Sequence, residues 1–243
     1  MTAGVSAGIV ESIRSGVVGA TTAMVCVENA ESHIARFAPE IPGRIGAHLQ
    51  LTDGVPRSNP AKLRSLLGDD GRFPRKAHQM RLVRSWEVER EWRAQLAVLE
   101  ELGIRPTHLD SHHHVHRQPG AFQVYRELAK AMQLPARGAV MQEITDGLRA
   151  HGVVCADVFM QQWSDAEPTL ERLLTCIAEA GQRCPDGGII EVMCHPALVD
   201  DALRSRSSYA EEREAELRVL TSAALPERLR DLGFEVVTIE ALR

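Results

Sequence analysis

Short β-rich runs and longer helical patterns take turns along this chain, and that alternation constrains its fold more than any other feature. Residues 3–15 carry Val5, Ile9, Val10 and Ile13 at helical spacing. Residues 21–27 read as a strand, 30–37 as a short helix closed by Pro39, and 45–51 as a strand ended by the turn pair Asp53-Gly54. Residues 56–74, rich in Gly, Pro, Asp and Arg, predict a long loop. The longest periodic segment is 76–102, where Met80, Val83, Trp86, Trp92, Leu96 and Leu99 fall roughly on one face and Gly103 ends the run. Pro106 opens the next strand. Helices are expected at 121–132 and 167–180, strands at 153–160 and 188–194, and a closing helix-strand pair within 210–239.

Alternating β and α elements imply right-handed crossovers and a mostly parallel sheet, either doubly wound or closed into a barrel. No Gly-x-Gly-x-x-Gly or Walker loop follows any strand, which weakens the nucleotide-binding version and favours an α/β barrel. A chain of 243 residues, 44% apolar, is long enough to close such a fold as one domain spanning residues 1–243. The formal charge of −5 is spread along the chain with no basic stripe to neutralise phosphates, so nucleic acid is not an expected partner. Five cysteines without a C-x-x-C pair read as reduced thiols and point to the cytoplasm. Glu11 and Arg14 interrupt what would be the apolar stretch of a signal peptide, and no run approaches the roughly eighteen apolar residues of a membrane span.

In such folds catalytic groups gather at the C-terminal ends of strands. Three strand ends here carry polar residues: His48 late in IGAHLQLT, Asp110 and His112 in PTHLDSHHHVH, and His195 closing the apolar GIIEVMCHP. Period-2 geometry places His108, Asp110, His112, His114 and His116 on one face of an extended strand. A divalent metal takes neutral imidazoles or carboxylates, so His48 and His112 are candidate ligands. Asp110 and the remaining histidines then serve as their hydrogen-bond partners. Blander readings stand beside this one: a satisfied core histidine for His48 and His195, and a solvated histidine tract for 107–116. Cys194 points away from the neighbouring His195 and reads as core, while the run Glu211 to Glu216 reads as a solvated helix face.

Taken together, PTHLDSHHHVH, EVMCHPA followed by Asp200, LTSAAL, GIVESIRSGVVGATTAMV and GAHLQLT resemble the YdjC-like carbohydrate deacetylases, and among them the bacterial chitooligosaccharide deacetylases. The likeness is weakest over 56–94 and 134–162. It implies a distorted (β/α) barrel that removes an acetyl group from an N-acetylated amino sugar with a divalent metal, Mg²⁺ or Zn²⁺, and a homodimer as the assembly. The histidine of H-x-x-L-T binds metal in that family and is His48 here. The histidine after Asp-Ser also binds metal and is His112, and the histidine of M-C-H-P faces the site and is His195. His195 is the expected acid for the departing amine, and Asp110 is expected to orient an imidazole or stand in as base. Trp163, Phe159 and Phe73 are the candidate sugar platforms in a chain with 4% aromatics, and Arg137 is a candidate substrate contact.

One departure bears on the reaction. The family pattern opens with a strand ending in Asp-Asp-x-Gly, which supplies a ligand and the general base, and Met1 stands where the residues just after that motif belong. The expectation is a start codon assigned too late, with the aspartates encoded upstream. The alternatives are a sugar- or metal-binding homologue impaired in catalysis, or a metallophosphoesterase-like hydrolase, though the latter calls for more strand-end carboxylates than this chain offers.

Overall fold

Helix α1 (Ala3–Arg14) starts where Thr2 places its hydroxyl on the Val5 N–H, a side-chain cap that satisfies one of the helix's orphan donors. The computed structural model describes residues 2–161, 163 and 167–242, apart from the side chain of Arg206. After α1 come β1 (Thr21–Ala23), α2 (Ala30–Phe37), β2 (Ile45–Leu49), α3 (Ser85–Glu101), β3 (Leu109–Ser111), α4 (Pro119–Ala131) and α5 (Gln142–Ala150). The chain then forms β4 (Val158–Met160), α6 (Leu170–Gly181), β5 (Ile190–Val192), α7 (Asp201–Arg206), α8 (Glu211–Leu220) and α9 (Leu225–Asp231).

Two compact units result: Met1–Thr21 with Pro39–Arg44 and Ala156–Arg243, and Thr22–Ala38 with Ile45–Cys155. In the second, β2 and β3 run parallel with His48 opposite Asp110. Beyond β3 the backbone continues sideways, Leu109 N–H donating to Pro135 O, Arg137 N–H to Leu109 O, and Ala136 N–H to Val154 O. In the first unit β4 and β5 pair in parallel, Val158 opposite Ile190. Their inner face joins α6, α8 and α9 around Trp163, Leu173, Leu174, Ile177, Leu220 and Leu225.

The α/β class with parallel strands is as the alternation predicts, but among the described residues the strands do not join in one closed sheet. Among the described residues the strands make one three-stranded sheet, ordered β1-β2-β3, and one two-stranded sheet. Four of the five strands are three residues long. Past β3, among the described residues, the single bridge Leu109↔Ala136 extends the ladder. Helices α5 and α7 were not foreseen, and 210–239 holds two helices rather than a helix-strand pair. No described helix is long and apolar enough to cross a membrane.

Helix α3 departs most from its periodicity. It begins at Ser85, and its buried face is Glu87, Val88, Glu91, Trp92, Gln95 and Leu99, while Trp86 is half exposed. The buried polar residues are there to bind loop backbone. Glu87 accepts from the Ser65 N–H (2.7 Å) and hydroxyl. Glu91 accepts from the N–H groups of Arg57 and Ser58, the Ser58 hydroxyl and the Gln95 amide. Gln95 accepts from the Gln50 N–H and donates to the Gln50 carbonyl, both at 2.8 Å. A buried carboxylate is tolerated when its oxygens are fully hydrogen-bonded, and here the bonding pins residues 57–65 and the end of β2 to one helix. Replacing Glu91 with Ala strands these donors. It should cost about 3–5 kcal/mol in urea unfolding, and a loss below about 1 kcal/mol would mean the loop is held by other means.

Candidate functional site

The site follows from the β2–β3 register. Because His48 and Asp110 are Cα partners in a parallel pair, their side chains emerge side by side on one face. His48 Nδ1 lies 2.6 Å from Asp110 Oδ1, and Arg137 reaches Asp110 Oδ2 at 2.7 Å. The Thr22 hydroxyl on β1 donates to Oδ2 at 3.2 Å and lies 3.1 Å from His48 Nδ1. Arg137 arrives there because its N–H bonds Leu109 O, and the Tyr125 hydroxyl clamps the carbonyls of Leu109 (2.7 Å) and Arg137 (3.2 Å). Asp110 is 1% exposed. Burial alone would raise its pKa, but the charge and hydrogen bond of His48, with Arg137 and His108, outweigh that and hold the carboxyl well below the usual carboxylate range.

When the His48 imidazole is neutral, an ionised Asp110 keeps its proton on Nδ1 and leaves Nε2 as the lone-pair side. That nitrogen faces His112 Nδ1 at 3.3 Å. Two nitrogens bonded to one tetrahedral ion at about 2.0–2.1 Å sit roughly 3.3–3.4 Å apart, so the pair fits two ligand positions of a divalent metal. Among the described residues no group of three or more His, Cys, Asp or Glu side chains converges as a metal site. Asp110, with both oxygens engaged, lies behind His48 rather than beside Nε2.

The histidine tract does not continue as a strand. β3 ends at Ser111, and a 3-10 turn spans His112–Arg117 with His113 (φ 50°) and His114 (φ 52°) in the left-handed region. The shared face expected for His108 to His116 therefore breaks after Asp110. His113 meets the Thr52 hydroxyl at 3.1 Å, and its ring lies tilted by 32° against that of His112, centroids 3.9 Å apart. His116 is fully buried. Its Nε2–H donates to Gly138 O, its Nδ1 accepts from the Ser111 hydroxyl (2.6 Å), and its ring stacks on Tyr125. Burial, with His114 and Arg137 adding to it, pushes the His116 pKa down to about 3. His108 is buried beside Gly46, where a Cβ would lie 2.5 Å from its Nδ1.

In the other unit, His195 follows β5 and is half-buried. Its N–H donates to Glu216 Oε2 at 2.6 Å, and Arg213 Nη1 reaches its carbonyl at 3.3 Å. Glu216 is fully buried and also accepts from the Tyr209 hydroxyl at 2.6 Å, so the run Glu211 to Glu216 is not wholly the solvated face expected of it. Trp163, expected as a sugar platform, is 0% exposed, with its indole N–H on Met193 O, and has no free face to stack on. Phe159 and Phe73 are buried as well. Cys194 packs against the core.

A family model described as YdjC-like protein matches residues 1–231. The chain belongs to the YdjC-like family. It is 38% identical to a protein named carbohydrate deacetylase from Geobacillus stearothermophilus, over 97% of this chain and 91% of the relative. It is 37% identical to one of the same name from Vibrio cholerae, over 100% and 92%. The crystal structure of an Enterococcus faecalis protein, described as a candidate cellobiose-phosphate cleavage protein, superposes with a TM-score of 0.85 at 30% identity, covering 99% of this chain and 94% of that one.

In this YdjC-like chain the structure brings together His48, Asp110, His112 and Arg137, and gives Arg137 to Asp110. Thr22 and Glu216 were missed. Thr22 had a signal in its place on the strand before His48, whereas Glu216 looks like any glutamate of a charged helix. His116 yields a pH prediction. An imidazole near 6.5 when unfolded and about 3 when folded contributes stability in full above about pH 6.5 and loses it as pH falls toward 3, because only the unfolded chain takes up the proton. Between pH 7 and 5, the stability gap between the wild type and His116→Asn should narrow by roughly 1–2 kcal/mol. A gap constant with pH, measured by urea unfolding, would rule out a neutral buried His116.

Proposed function

We propose that this chain hydrolyses the acetamido group of an N-acetylated amino sugar or chitooligosaccharide, with a divalent metal, zinc or magnesium, held by His48 and His112. The observation that carries the reading is the convergence of His48 Nε2 and His112 Nδ1 at 3.3 Å, with Asp110 behind the first ring. The sugar substrate class rests on the names of the relatives in the YdjC-like family.

An amide is a weak electrophile with a poor leaving group, so its hydrolysis needs an activated water, a stabilised oxyanion and a proton for the amine. A bound divalent ion supplies a Lewis acid for the acetyl carbonyl and makes water a better nucleophile. The chain's own residues prepare for that. Asp110 keeps the proton of a neutral His48 on Nδ1 and its Nε2 lone pair available, Arg137 and Thr22 hold Asp110 in place, and His112 presents Nδ1 3.3 Å from that nitrogen. With both oxygens engaged, Asp110 is an orienting group and is given no base role. Arg137 acts through Asp110 rather than on the sugar. His195, whose imidazole type suits proton transfer near neutrality, protonates the departing amine. The C–N bond breaks as water's oxygen joins the acetyl carbon, giving acetate and a free amino sugar.

Acetate release from diacetylchitobiose should be abolished by a strong chelator, restored by zinc or magnesium, and reduced at least about a hundredfold in His48→Ala or His112→Ala. Asp110→Asn should lower metal affinity about 10- to 100-fold while leaving both imidazoles in place. Turnover unchanged in His112→Ala would sink the assignment.

A further inference from the structure

We infer that Glu216 is a positioning residue for His195. This rests on the proposed role of His195 as the acid of the deacetylation. Helix α8 grips the His195 peptide from both sides, with Glu216 Oε2 accepting its N–H at 2.6 Å and Arg213 Nη1 donating to its carbonyl at 3.3 Å. The Arg213 carbonyl also accepts the Ala197 N–H at 3.2 Å, so the chain is held again two residues on.

The grip is itself fixed. Glu216 is 0% exposed, and its second oxygen takes the Tyr209 hydroxyl at 2.6 Å. Tyr209 stands edge-on to the His195 ring, with centroids 6.2 Å apart at 79°, and lies under the Arg213 guanidinium. Arg213 Nε bonds the Tyr209 carbonyl, closing the circuit. Residues 213 and 216 are one helical turn apart and share a face, so a single rigid element sets both ends of the peptide that carries the imidazole. A carboxylate bonded to a backbone N–H is among the stronger hydrogen bonds available. Hydrolysis of an amide requires that the acid reach the nitrogen within hydrogen-bond distance, where a displacement of about 1 Å costs on the order of a hundredfold.

Glu216→Gln keeps the size of the side chain but leaves one oxygen for two donors. A double-mutant cycle with His195→Ala, read as kcat for acetate release from diacetylchitobiose alongside the thermal midpoint, tests the assignment. His195→Ala preserves the peptide and removes only the ring. Glu216→Gln should lower kcat about ten- to a hundredfold with little change in KM in the wild-type background, and should leave kcat unchanged in the His195→Ala background. The fall in thermal midpoint should be the same in both. If Glu216→Gln lowers kcat by the same factor in both backgrounds, Glu216 is merely structural and the inference fails while the role of His195 stands. If His195→Ala alone leaves kcat unchanged, the acid assignment fails first and the inference with it.

Discussion

A single buried charge organises the second unit. Asp110 sits in the middle of β3 at 1% exposure, and an isolated carboxylate there would be costly enough to stay protonated or unfold the strand. Three different elements answer it: β2 with His48, β1 with Thr22, and the segment beside β3 with Arg137. Each partner has to be in register for the charge to be compensated. The parallel pairing of β2 and β3, the backbone bonds of residues 135–137 and the Tyr125 clamp are therefore mutually required. The same arrangement decides which nitrogen of His48 is free, so the interaction that stabilises the sheet also sets the chemistry at its end.

The rule recurs elsewhere in the chain. Glu87, Glu91 and Glu216 are buried carboxylates on helices, and each spends its oxygens on backbone N–H groups of neighbouring loops. Loops with few apolar residues cannot hold themselves by burial, and a carboxylate that collects two to four donors can hold them instead. On α3 this stabilises residues 57–65, a stretch of Pro, Ser and Arg with little to bury. On α8 it fixes the peptide of His195. In both places a helix residue that would usually face water determines where a strand-end segment lies.

These residues also mark where the sequence was and was not legible. Helix α2 has the bounds that its apolar spacing and Pro39 predict, and α1, α4 and α6 lie within a few residues of theirs. Periodicity reports apolar burial, and α4 and α6 are held by it, whereas α1 buries Ser6, Gly8 and Ser12 beside Val10. In helix α3 the face is as expected at Trp92 and Leu99 and differs beside them: Glu91 and Gln95 bury while Trp86 stays half exposed. The strands were placed well but drawn too long, because pattern says where a run is extended and not where it finds a partner. Closure of the sheet depends on such partners, and past β3 there is one bridge among the described residues. Trp163 was misassigned for a related reason: an aromatic after a strand is as well suited to a core as to a sugar, and only the surrounding residues decide.

The histidine tract joins these points. Read as a strand, residues 108–116 would put five polar side chains on one face; as folded, the chain leaves the sheet after Ser111 and passes through two left-handed histidines in succession. Non-glycine residues in that region carry strain that surrounding contacts must hold, and the contacts are on hand. The Ser111 hydroxyl bonds both the N–H and the ring of His116, and Thr52 bonds the ring of His113. The histidines after His112 thus build the turn, and His112 at its start lies with Nδ1 3.3 Å from His48 Nε2. A straight strand would instead carry residues 113–116 on along the sheet, past the imidazole that Asp110 holds in place.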